Sequence, residues 1–167
     1  MSTYRPGFPG EHHAILQVPE GWFGRANFMG PGTALYQRLE RGDPPRTDSD
    51  RASRAHDIRY ALASTPAEVA TADHRLVEVL QKIRARGSDT WYNTTLGEVP
   101  IRAKIFAESH GLLKAGTIGG YGDAPDSWRP RLEELIEKET AEGYGLFRGH
   151  PPSSARSSSR LKSRSSR

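Results

Sequence analysis

Residues 65–87 constrain this chain most, because both ends and one face of a helix are written there in local chemistry. The Thr65 hydroxyl can accept from the backbone of the first turn, Pro66 suits the first helical position, and Glu68 completes a capping box. Val69, Ala72, Leu76, Leu80 and Ile83 then recur at helical spacing, and Gly87 supplies a C-terminal stop. A helix with such a face has to bury it against something. The first candidate precedes it. Acidic residues at Asp48 and Asp50 suit the start of a helix, which runs through Ala52, Ala55, His56, Ile58 and Tyr60 to about Ala63. The link between the two helices is so short that they are expected to pack as antiparallel neighbours.

The rest of the chain reads less sharply. Residues 1–33 are rich in Gly and Pro and read as an irregular lead-in, with Ala14-Ile15-Leu16-Gln17-Val18 as a short strand or a single turn. Residues 34–48, containing Gly42-Asp43-Pro44-Pro45, read as a loop. Residues 88–99 read as turns or a strand. A third helix is expected over 100–110, closed by Gly111. Residues 116–125 read as a flexible glycine-rich loop. A fourth helix is expected from Ser127 to about Ala141, with Leu132, Leu135 and Ile136 on one face. The expected class is mainly α.

Composition limits the chemistry. There is no cysteine among the 167 residues, which excludes disulfides, cysteine-bound zinc and a thiol nucleophile. Apolar residues make up 35% and mean hydropathy is −0.70, enough for a modest core. No apolar run approaches the roughly 18 residues of a membrane span. Residues 1–10 lack the apolar run of a signal peptide, so secretion by that route is not expected. The formal charge of +4 is unevenly placed. Arg156, Arg160, Lys162, Arg164 and Arg167 lie within residues 151–167 with no acid among them, so the remainder is together nearly neutral. The Ser/Arg/Pro-rich end, residues 150–167, is expected to be a disordered basic tail. It suits contact with nucleic acid or an anionic surface, nuclear import, phosphorylation, or simple solubilisation.

Asp73 is the anomaly. It lies on the apolar face of the 65–87 helix, four after Val69 and three before Leu76. Buried carboxylates need partners. His56 and Tyr60, four apart, share a face of the preceding helix, and Asp57 sits one step round from His56. Antiparallel packing could bring His56, Tyr60 and Asp73 together. A histidine held by a buried carboxylate has its tautomer set and its basicity raised, as a general base requires. A satisfied structural network would look the same, and the residues alone leave both readings open. Gly30-Pro31-Gly32 can aim backbone carbonyls at one point. Carbonyls with a carboxylate such as Asp57 are what Ca²⁺ prefers, although an ordinary turn has the same signature.

Together these pieces resemble a known family. Asn27-Phe28-Met29-Gly30-Pro31-Gly32-Thr33 is similar to the calcium loop of the phospholipase A2-like domain in the unique N-terminal region of parvovirus minor capsid proteins. Gly42-Asp43-Pro44-Pro45 resembles that domain's Gly-Glu-Pro segment. Asp50-Arg51-Ala52-Ser53-Arg54-Ala55-His56-Asp57-Ile58-Arg59-Tyr60 resembles its Asp-(x)5-His-Asp-x-x-Tyr helix, and Ala72-Asp73-His74-Arg75 its Ala-Asp-x-Arg segment. Gly21-Trp22 echoes its Pro-Gly-Tyr lead-in. The likeness covers roughly residues 18–84, and the ordered set is far more specific than any one piece.

The resemblance implies a phospholipase A2-like domain with two antiparallel catalytic helices, a Gly-Pro-Gly calcium loop, extra C-terminal helices and the basic tail. Its divisions would be a lead-in over 1–17, a catalytic core over 18–87, accessory helices over 88–149 and the tail over 150–167. It implies that carbonyls of Phe28, Gly30 and Gly32, with the Asp57 carboxylate, hold Ca²⁺. His56 would take a proton from the attacking water, Asp73 would orient His56, and Tyr60 would hydrogen-bond Asp73. Ca²⁺ and the Gly30 amide would stabilise the oxyanion at the sn-2 ester of a membrane phospholipid. Phe28 stands where the family has Tyr, but only its carbonyl is used. The absence of cysteine separates the chain from secreted phospholipases A2. The spacing from His56 to Asp73 is shorter than in many vertebrate parvoviruses. The implied setting is a virion or the host cell interior, with the basic tail as a route to the nucleus and membrane penetration as the task. The alternative is a non-enzymatic, virion-associated or nucleic-acid-binding protein that works through residues 151–167.

Other residues carry less. His12 and His13 read as solvated, His74 as a surface residue, His110 as a helix C-cap, and His150 carries no motif. Trp22, Phe23, Met29 and Leu35 read either as core or as an apolar rim for acyl chains.

Overall fold

Thr47 and Thr65 start the two central helices in the same way. Each has extended backbone, and each hydroxyl accepts a backbone N–H three residues on, from Asp50 and Glu68. At Thr65 the capping box is complete, because the Glu68 carboxylate also accepts from the Thr65 amide. The structure is a computed structural model and describes residues 26–30, 33–114 and 120–144. Helix α1 spans Leu35–Arg41, α2 Asp48–Leu62, α3 Pro66–Arg86, α4 Trp91–Ser109 and α5 Arg129–Ala141. Among the described residues there is no strand, so the chain is mainly α as expected. None of these helices is long and apolar enough to cross a membrane.

Helices α2 and α3 are antiparallel. The Ser49 amide at the start of α2 donates to Asp89 just past α3 at 3.0 Å, while His56 and Tyr60 further along α2 meet Asp73 near the start of α3. Helix α4 reverses again. Arg84, near the end of α3, meets Glu98 at 2.5 Å, and Asp73 meets Lys104 further along α4. Gly97 is what lets α4 come close. A Cβ built there would lie 3.1 Å from a Leu80 methyl.

Helix α2 has apolar surface on two sides. Ala52 joins Leu76, Val79, Leu80 and Ile83 of α3 in one cluster. Ala55, Ile58 and Ala61 join Phe28, Leu35, Leu39, Leu132 and Ile136 in a second cluster, which brings in α1 and α5. The last turn of α2 is satisfied from outside. The amides of Gly122 and Ala124 donate to the carbonyls of Tyr60 and Ala61 at 2.9 and 3.1 Å. Arg51 and Arg54 of α2 clamp the buried Glu139 of α5 at 2.7 and 2.5 Å.

Two expectations need correction. Residues 34–48 are not all loop, because α1 occupies seven of them. A helix this short is marginal alone and forms because Leu35, Arg38 and Leu39 are buried against α2 and the 26–30 segment. Residues 88–99 are neither turns nor strand. Helix α4 begins at Trp91, capped by Thr90, and runs through Pro100 to Ser109. An interior proline removes one helical hydrogen bond. Here Thr94, Gly97 and Glu98 on one side of it and Lys104 on the other are buried, and that packing outweighs the loss. The last helix begins two residues later than expected. The lead-in over 1–17, the Ala14–Val18 stretch and the tail over 150–167 lie outside the described residues, as do residues 116–119 of the glycine-rich loop.

Candidate active site

The site is built where the second turn of α3 faces the last turns of α2. Asp73 is fully buried. Its Oδ1 accepts from His56 Nε2 at 2.8 Å and from the Tyr60 hydroxyl, and its Oδ2 accepts from Lys104 Nζ at 2.5 Å. A lone carboxylate here would be costly, and these three donors offset its desolvation. The His56 and Tyr60 rings, one helical turn apart, stand 4.4 Å centroid to centroid. On the other edge of the imidazole, Nδ1 lies 3.6 Å from Asp57 Oδ1. The structure thus brings His56, Tyr60 and Asp73 into contact and sets Asp57 beside them.

The electrostatics follow from that geometry. Burial pushes the His56 imidazole down, but hydrogen bonds and charge from Asp57 and Asp73 outweigh it, and the result lies above the ordinary histidine value. Burial pushes the Asp73 carboxyl up. The His56 hydrogen bond and charge, with the Lys104 and Tyr60 hydrogen bonds, hold it below the ordinary carboxylate value. Burial, then Asp73, pushes the Tyr60 phenol well above its usual range, so Tyr60 remains a donor. With Nε2–H assigned to Asp73, the Nδ1 lone pair is the proton acceptor, a tautomer that follows from the hydrogen-bond pattern.

A second carboxylate organises the loop. Asp50 is fully buried, and four backbone amides converge on it. Oδ1 accepts from Phe28 at 2.7 Å and Met29 at 3.0 Å, and Oδ2 from Asn27 at 3.0 Å and Arg46 at 2.9 Å. The Asn27 side chain adds bonds to the Pro44 carbonyl at 2.7 Å and from Arg38 at 3.2 Å. Phe28 sits in the core cluster with Ala55 and Ile58, which flank His56 and Asp57 in sequence. The carbonyls of Phe28 and Gly30 both point at the Thr33 hydroxyl, each at 3.1 Å. Two carbonyl oxygens therefore converge on one point. Gly30 takes φ +113°, a backbone that favours glycine. Carbonyl oxygens with the Asp57 carboxylate suit a hard cation such as Ca²⁺. Gly32 lies outside the described residues.

Lys104 is the partner that sequence reasoning missed, and it comes from α4, beyond the span of the resemblance. A signal existed. Thr94, Gly97, Glu98, Ile101, Lys104 and Glu108 recur at helical spacing, but the face is polar and small, and it is visible only if 91–99 is read as helix. Asp50 stood in the quoted motif without a role. Of the other residues considered, His74 is exposed, His110 caps α4, and Met29 and Leu35 are core. Trp22, Phe23, His12, His13 and His150 lie outside the described residues. Comparisons with protein-family models, with curated proteins and with solved structures find no match for this chain.

Proposed function

We propose that this chain is a Ca²⁺-dependent phospholipase A2 that hydrolyses the sn-2 ester of glycerophospholipids. One observation carries the reading: His56 Nε2 is tied at 2.8 Å to a fully buried carboxylate, which leaves Nδ1 to accept a proton. The ordered likeness of residues 18–84 to the parvovirus phospholipase domain supports it, and membrane penetration by a virus is the setting that goes with that likeness. In this reading Nδ1 takes a proton from water as the water oxygen attacks the ester carbonyl. Asp73 steadies the imidazolium, and Tyr60 and Lys104 hold Asp73. The proton then passes to the departing sn-2 oxygen, giving a fatty acid and a lysophospholipid. The Gly30 amide would donate to the oxyanion. Phe28, Gly30 and Gly32 carbonyls and the Asp57 carboxylate would hold Ca²⁺. When bound, the ion supplies positive charge for the oxyanion.

The test is release of sn-2 fatty acid from phosphatidylcholine vesicles, with Ca²⁺ and with chelator. Removing a general base costs about 10²–10⁴-fold in rate, so His56→Ala should lose hydrolysis on that scale with its helix content unchanged. Hydrolysis that survives in His56→Ala sinks the proposal. Asp57→Ala should lose activity and Ca²⁺ dependence together.

A further inference from the structure

The large hydrophobic residues that stand exposed among the described residues all belong to one place: Trp91, Tyr92, Val99 and Phe106 on α4 and Leu112 just beyond it, each 57–70% exposed. Single exposed apolar residues are ordinary, but a row of them along one helix is not. Tyr92, Val99 and Phe106 follow one another at intervals of seven, so they form one stripe. Thr95 and Ala103, both small, lie between them. Charge does not interrupt the stripe. Glu98 and Lys104 are buried, and Arg102 is tied to Glu98 at 2.6 Å.

The stripe has a knob at one end and a groove at the other. Trp91, the most exposed of these residues, stands in the first turn of α4. Toward the far end an open groove of about 540 Å³ runs between α3 and α4, with His74, Val77, Ala103, Phe106 and Ser109 in its walls. At about 100° per residue, Trp91 and this groove fall on the same side of the stripe, and Val99 falls about midway between Trp91 and Phe106 along the axis.

We propose that this face docks a second copy of the chain. Helix α4 crosses the partner's α4 antiparallel, about a two-fold axis at Val99. Val99 then meets its own equivalent, Tyr92 meets the partner's Phe106, and Trp91 enters the partner's groove. A two-fold interface has to be complementary to itself, and a knob and a groove set on one side of a face and equally far from its centre meet that condition. Thr95 falls opposite the partner's Ala103, which lets the helices approach. Aromatic side chains present about 150–250 Å² each, so the three rings alone leave about 300–400 Å² in solvent, near half of the ~800 Å² that each partner buries in a standard interface. A lipid surface fits the stripe less well. Lys104 reaches Asp73 from the other side of α4, and His56 meets the other oxygen of Asp73, so the stripe faces away from the imidazole. The proposal stands whether or not the chain is a phospholipase.

The first test is the mass of the full chain in solution by sedimentation, against concentration. The wild type should reach twice the 18.5 kDa of one chain. Val99→Asp and Trp91→Ala, both at exposed positions, should keep their helix content and weaken association by about 30-fold or more, as hot-spot residues do. The second test uses the absence of cysteine from the chain. Val99→Cys places one thiol at the axis, where mild oxidation should bridge two chains. Tyr92→Cys and Phe106→Cys should each give little dimer alone and give a crosslinked dimer with a short bis-maleimide when mixed. A wild type still monomeric at about 100 μM overturns the proposal. So does a dimer that survives both Val99→Asp and Trp91→Ala, and so does a Tyr92→Cys that crosslinks to itself as readily as to Phe106→Cys. A monomer that binds phosphatidylcholine vesicles and loses that binding in Trp91→Ala overturns it in favour of a lipid surface.

Discussion

Asp50 shows how one side chain can place a whole segment. Four amides from residues 27–29 and 46 end on its two oxygens, the first three buried and that of Arg46 partly so. Hydrogen bonds to a charged acceptor are worth about 1.5–3 kcal/mol each, and an amide stranded in the interior costs more than a bond never made. Asp50→Asn keeps the shape but loses the charge and turns one acceptor into a donor. It should destabilise the protein by about 3 kcal/mol in urea unfolding. A loss below about 1 kcal/mol would mean that the 26–30 segment is held by other contacts.

The Asp73–His56 pair makes a prediction with two signs. The Asp73 carboxyl is lowered in the folded state, so its stabilising contribution is present above the unfolded value of about 3.9. It is lost as pH falls through the lower folded value. His56 is raised, so its contribution is complete below about pH 6.5 and is lost as pH rises through the higher folded value. Stability from this cluster should therefore peak between about pH 4 and 6.5. Thermal unfolding across pH checks it: the loss on the alkaline side should vanish in His56→Ala. If the chain hydrolyses phospholipid as proposed, with His56 as the base, hydrolysis should run oppositely to the His56 contribution and rise with pH, because only the neutral imidazole accepts a proton.

At the scale of the element, α3 was legible because its capping box, apolar spacing and terminal Gly87 are all local signals. Helix α4 was not. Its buried face carries Thr94, Gly97, Glu98 and Lys104, whose burial is earned by partners on α3 and leaves no apolar period to read. Pro100, a good helix start in isolation, pulled the boundary nine residues late. The contact at Gly97 tests how tightly α4 is seated. Gly97→Val pushes two further methyl groups toward Leu80, which a single Cβ already meets at 3.1 Å. It should cost about 2 kcal/mol by overpacking and loosen α4 from α3. A neutral effect would show that α4 can shift away without loss.

At the scale of the whole molecule, charge and fold divide. The five basic residues of 151–167 exceed the net charge of the chain, while the helices carry their acids and bases largely in pairs such as Arg51–Glu139, Arg84–Glu98 and Lys104–Asp73. On the proposed phospholipase reading a chain ending at residue 150 should keep Ca²⁺-dependent hydrolysis; on the alternative reading, in which residues 151–167 contact nucleic acid, it should lose salt-sensitive binding. Five phosphate contacts correspond to a slope of about −4.5 in log K against log salt on duplex DNA. Binding that is unchanged by the truncation would place the anion contact on the helices instead.

By itself the sequence determined what depends on neighbours along the chain. That includes the caps and periods of α2 and α3, their antiparallel pairing through a short link, and the one carboxylate that had to find partners inside. His56, Tyr60 and Asp73 could be matched because helical spacing and a tight turn leave few ways to pack two such faces. Only the tertiary structure decided that α1 forms, that α4 runs through Pro100, that Asp50 gathers the amides of the loop, and that Lys104 closes on the second oxygen of Asp73. Each of those rests on a charge or small residue buried by a partner distant in the sequence. The stabilisation comes from the partner, so the residue itself carries no local mark of it.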